Sequence, residues 1–80
     1  MGRMGKRSLA QVRRNLARNV RTLRHGRGWS QHDLADEAAI RQALVSAIEV
    51  GSANPTLESL DKLAAALGVD LANLFSAPVA

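Results

Sequence analysis

Few side chains of this 80-residue chain are equipped for covalent chemistry. Cysteine is absent, which excludes a thiolate nucleophile, a thiolate metal site and a disulfide framework. The two histidines, His25 and His32, stand seven residues apart with no acidic or thiol partner at metal-ligand spacing, so they read as solvated. Ser8, Ser30 and Ser46 occupy capping or helix positions, and the seven carboxylates are scattered, so no nucleophile meets a base. Gly26-Arg27-Gly28 is too short to cradle a phosphate. No enzyme, cofactor or metal is expected.

Charge is the chemistry that remains. The first 32 residues hold Arg3, Lys6, Arg7, Arg13, Arg14, Arg18, Arg21, Arg24 and Arg27 with no acid, whereas residues 33–80 hold all seven acids against Arg41 and Lys62. A chain divided into halves of +9 and −5 points to a polyanionic partner, with nucleic acid first among them.

The elements that would position these groups are helices, and no strand is expected. Residues 1–8 form a basic, flexible arm ending in the cap Ser8. A first helix over residues 9–25 has the stripe Leu9, Val12, Leu16, Val20 and Leu23 at steps of three and four. Ser30 caps a second helix, 31–38, with Leu34, Ala35 and Ala38 on one face. Ala39 and Ile40 turn the chain into a third helix, 42–50, with Val45 and Ile48 inside and Gly51 at its end. Two short helices around a tight turn have the form of a helix-turn-helix. Thr56 caps a fourth helix, 57–67, with Leu57, Leu60, Leu63, Ala64 and Leu67 inward, and Asp70 caps a short fifth helix, 71–75. A tail, 76–80, contains the breaker Pro78. The result is one all-α domain over residues 9–75, with Trp29 and Phe75 as its only aromatics. Trp29 is expected to pack over the junction of the first two helices. No apolar run reaches the roughly 20 residues that cross a bilayer, and the arginines interrupt any signal-peptide apolar region, so a reducing cytoplasm fits.

The run Gly28-Trp29-Ser30-Gln31, Leu34-Ala35, Val45-Ser46, Ile48-Glu49, Gly51, Asn54-Pro55-Thr56-Leu57 and Leu63-Ala64-Ala65-Ala66-Leu67-Gly68-Val69 closely resembles the lambda-repressor-like (xenobiotic-response-element type) family of bacterial and phage regulators. The resemblance covers residues 16–75 and implies a five-helix DNA-binding domain. It further implies that Arg41, Gln42, Ala43, Ser46 and Ala47 face base edges from the third helix. Among these, Gln42 suits adenine N6 and N7, Arg41 suits guanine or a phosphate, and the alanines offer only methyl groups. Ser30, Gln31, Ser52, Asn54 and Thr56 would meet the sugar-phosphate backbone, Gln31 also bracing the start of the third helix. Arg24 and Glu49 would form a structural ion pair. Val69, Leu71, Leu74 and Phe75 would pair two subunits. The first helix starts a turn or two before the family core requires, so its opening turns should do something particular to this protein.

The reading is a sequence-specific transcription regulator that binds double-stranded DNA as a homodimer on an inverted repeat. With no effector domain in the sequence, control is expected to rest on concentration and operator affinity. Small phage repressors, restriction–modification controllers and autoregulating antitoxins share this form. Two rivals stand beside it. The alanine-rich outer face of the third helix, with Leu44 and Val50 exposed, suits an antitoxin-like module that binds a toxin, DNA binding being secondary. The basic first helix could lie on an anionic membrane, but its face lacks Trp and Phe.

Overall fold

Hydroxyl caps set where three of the helices begin. The computed structural model describes residues 8–77; the proposed arm, apart from Ser8, and Pro78 in the tail lie outside them. Helix α1 (Leu9–Gly26) starts where Ser8 Oγ accepts the Gln11 amide at 3.1 Å. Helix α2 (Gln31–Ala38) starts with a reciprocal capping box. Ser30 Oγ accepts from the Asp33 amide, and Asp33 Oδ2 accepts from the Ser30 amide. Helix α4 (Leu57–Leu67) starts where Thr56 Oγ1 accepts from the Ser59 amide at 3.0 Å. Helix α3 (Gln42–Glu49) has no side-chain cap, because Arg41 stands at that position.

The turn between α2 and α3 departs from what residue types suggest. Ala39 adopts the left-handed conformation, φ 57° and ψ 46°, the one non-glycine residue with positive φ among the described residues. An L-residue there costs about 1–2 kcal/mol, since Cβ crowds the following carbonyl. The cost is met locally: the Ile40 amide reaches back to Ala35 O at 3.0 Å, closing the end of α2. Ile40 can then drop its side chain against the core.

Leu16 and Val20 of α1, Leu34 of α2, Val45 and Ile48 of α3, and Leu63 and Leu67 of α4 make one core. Three burial assignments need correction. Leu9 and Leu57 sit in the opening turns of their helices, before these reach the core, and are 56% and 70% exposed. Leu44, expected outside, packs half-buried against the core, whereas Val50 is exposed as expected.

The five-helix count is also corrected. Four α-helices are present among the described residues, and Leu71–Leu74 forms a single 3-10 turn. Asn73 Oδ1 folds back to accept the Asp70 amide at 3.0 Å. Asn19 Nδ2 of α1 meanwhile donates to the carbonyls of Leu74 and Ser76 at 3.0 and 2.8 Å, with Asn73 O at 3.4 Å. Within the turn, Asp70 O and Ala72 O accept from the Asn73 and Phe75 amides three residues on, at 2.9 and 3.1 Å, which is the 3-10 and not the α pattern. The turn instead drives Leu74, fully buried, under the core.

Candidate nucleic-acid interface

Helix α3 packs on α1 and α2, and its remaining side turns outward. Its outer face begins with Arg41, Gln42 and Ala43, all exposed, while Ser46 and Ala47 one turn later are half-buried. The first turn of α3 is therefore where polar side chains stand free of the domain. A glutamine amide and a guanidinium there have the donors and acceptor that base edges and phosphates require.

What holds α3 at this angle is a buried polar network. Arg24, near the end of α1, grips Glu49, the last residue of α3. Its Nε donates to Oε2 at 2.7 Å and its Nη2 to Oε1 at 2.9 Å. The two residues are only 8% and 5% exposed. Arg24 Nη1 also donates to the Trp29 carbonyl at 2.8 Å. From α2, Gln31 Nε2 donates to Glu49 Oε1 at 3.1 Å. The Gln31 brace thus lies at the end of α3, not at its start as the family resemblance implies. Arg21 Nη1 adds a bond to the Glu49 backbone carbonyl at 3.0 Å. Burial pushes the Glu49 carboxyl up, but the bonds from Arg24 and Gln31, with both arginine charges, outweigh it and leave the group below its ordinary value. The bond to Glu49 raises the Arg24 value further, against the effect of burial.

The flanks of α3 carry the residues assigned to the DNA backbone. At the start of α2, Ser30 is exposed while its hydroxyl serves the cap. Asp33 is held below its usual range, first by the Ser30 amide and then by its hydroxyl. Beyond α3, Ser52 Oγ donates to Ala47 O at 3.3 Å, Thr56 caps α4, and Asn54 Oδ1 accepts from Arg13 Nη2 at 2.7 Å. Ser52, Asn54 and Thr56 are all exposed.

Of the four residues assigned to subunit pairing, Val69, Leu71 and Phe75 are half-buried at the surface. Leu74 is the correction: wholly enclosed by its own subunit, it has no face left for another. His25 is exposed, and His32 meets Asp36 on the surface with Nε2 and Oδ2 3.4 Å apart. Trp29 packs half-buried against the core beneath the Arg27 guanidinium, which lies 5.1 Å from the ring centroid and donates to Leu67 O at the end of α4 at 3.3 Å. Sequence reasoning missed this latch, the Asn19 staple and the Arg13–Asn54 contact. Each joins residues 40 or more positions apart through a neutral acceptor, so charge pairing offered no signal.

Residues 20–74 match the helix-turn-helix family. Over 67 residues the chain is 40% identical to a hypothetical transcription factor of Neisseria meningitidis, covering 84% of this chain and 63% of that protein. Over 70 residues it is 31% identical to the HTH-type transcriptional regulator SutR of Escherichia coli, covering 88% and 39%. It therefore spans less than two thirds of either protein's length. The crystal structure of the Neisseria hypothetical transcription factor NHTF superposes with a TM-score of 0.82 at 38% identity, covering 90% of this chain and 83% of that one. The restriction-modification controller protein C.AhdI of Aeromonas hydrophila superposes with a TM-score of 0.75 at 32% identity, covering 79% and 96%.

Proposed function

The chain belongs to the lambda-repressor-like helix-turn-helix family of DNA-binding transcription regulators, and from that premise we propose that it acts as a homodimer on an inverted-repeat operator. Each subunit lays α3 in a major groove, Gln42 and Arg41 reading base edges, with Ala43, Ser46 and Ala47 lining the contact. Ser30 and Gln31 on one flank, and Ser52, Asn54 and Thr56 on the other, meet the backbone. The observation that carries this reading is the Arg24–Glu49–Gln31 network, which fixes α3 from two other helices while leaving its first turn free. The likeness to C.AhdI, a restriction-modification controller protein, supports a regulatory role of that kind. The antitoxin-like alternative draws support from Val50, 73% exposed at the end of α3, but loses the contribution of Leu44.

The test selects duplexes from a random library and measures their binding by fluorescence anisotropy. With ~6 phosphates neutralised per dimer, log affinity should fall against log salt with a slope of about −5. Gln42→Ala should cost the selected site about 1–3 kcal/mol and leave random duplex nearly unaffected. A slope near zero removes the DNA-binding reading. An unchanged ratio of selected to random affinity removes Gln42 as a base reader.

A further inference from the structure

The opening turns of α1 lie ahead of the residues that match the family, and they reach across the molecule. They carry Arg13 to the turn between α3 and α4, where its Nη2 donates to Asn54 Oδ1 at 2.7 Å. The side chain runs along a groove of about 150 Å³ lined by Leu9, Val12 and Pro55, and its Nε is buried there without a hydrogen-bond partner. Apolar contact thus covers the stem, while the Nη2 end of the guanidinium stands at the exposed Asn54.

Asn54 is neutral, so it aims the guanidinium without compensating its charge. The ion pairs found among the described residues are Arg24–Glu49, His32–Asp36 and Lys62–Glu58. Arg13 has no carboxylate among them. A guanidinium carries five donors, and one is used on Asn54. A partly buried cation held in one orientation, with donors to spare and no counter-charge among the described residues, is prepared for an anion. Its neighbour Arg14 differs, being folded back along its own helix to Gln11 Oε1 at 2.9 Å.

We infer that Arg13, aimed by Asn54, binds a backbone phosphate of duplex DNA beside the footprint of α2 and α3. The inference rests on the DNA-binding reading above. A phosphodiester suits the position because its two free oxygens match the guanidinium fork, and because the same loop presents Ser52 and Asn54 to the backbone. Arg13 adds the formal charge which those two residues lack.

Salt titrations of the 80-residue protein on random-sequence duplex, with a thermal melt of each variant, test this. One phosphate contact contributes about 0.9 to the slope of log affinity against log salt. Arg13→Ala should therefore lose about 0.9 per bound subunit. Between 50 and 200 mM salt, its affinity should fall about 3.5-fold less per subunit than that of wild type. Arg13→Lys, which keeps stem and charge, should restore most of the slope, and Arg14→Ala should change it less than Arg13→Ala. A steep wild-type slope that Arg13→Ala leaves unchanged overturns the inference while the DNA-binding reading stands. If the melting temperature falls at the same time, Arg13 merely braces the loop. A wild-type slope near zero removes the DNA-binding reading itself.

Discussion

Replacing Glu49 by Ala removes one carboxylate and leaves the Arg24 guanidinium enclosed without its counter-charge. Arg24 is 8% exposed, and two of its three recorded side-chain bonds end on Glu49. Stranding one member of a pair buried to this degree costs about 3–5 kcal/mol. A domain of this size holds roughly 4–12 kcal/mol in total, so the variant should be marginal. At about 4–8 °C per kcal/mol, the melting temperature should drop by roughly 12–40 °C. Urea and thermal unfolding, followed by circular dichroism, measure the loss directly. Arg24→Ala and the double variant complete a cycle. The double variant should lose less than the sum of the singles, because neither charge is left alone. Losses that add within about 0.5 kcal/mol would mean the pair does not act as a unit, and the reasoning fails. The pH dependence has a definite sign. The folded Glu49 value lies below the unfolded one, so its contribution is present above the ordinary carboxylate range and lost as pH falls through the folded value. Asp33 titrates with the same sign, so the informative comparison is wild type against Glu49→Gln, which should show the shallower loss in acid.

Two further substitutions follow from the geometry. Ala39→Gly should stabilise the protein by about 0.5–1 kcal/mol, the relief of the left-handed alanine exceeding the added unfolded-state entropy; a lower urea midpoint would show that the turn is not strained. In the proposed dimer, Phe75→Ala should shift sedimentation velocity at micromolar concentration towards monomer while circular dichroism reports an intact fold, and either a wild-type monomer or an unchanged dimer would exclude Phe75 as the anchor.

Local chemistry made much of this fold legible in the sequence. The caps Ser8, Ser30 and Thr56 each act within three residues of themselves, so residue type and spacing suffice to find them. The stripe containing Val45 and Ile48 is periodic and equally plain. Periodicity misled at Leu9 and Leu57, because a helix can keep its pattern for a turn beyond the neighbour that would bury it. The left-handed turn at Ala39 went unseen because alanine carries no mark of that conformation. In the candidate site, the Arg24–Glu49 partnership came from resemblance, not spacing, and the second hold on Glu49, by Gln31, is a contact between helices that no single-helix pattern encodes. Arg13 and Asn54 lie 41 positions apart, and an asparagine in a turn has local reasons enough to conceal a distant one.

Two side chains that tie distant segments to α1 stand five residues apart on it. Asn19 gathers the carbonyls of the turn at Leu71–Leu74, and Arg24 fastens α3. In a dimer paired through Val69, Leu71 and Phe75, that short length of helix is the rigid arm between the pairing surface and the reading head. The distance between the two heads then becomes a mechanical constant of the protein. Such a device works as a caliper. The proposed dimer would tolerate a changed base in either half-site more readily than one base pair added between them, which moves the second groove by about 3.4 Å and turns it by roughly a tenth of a revolution.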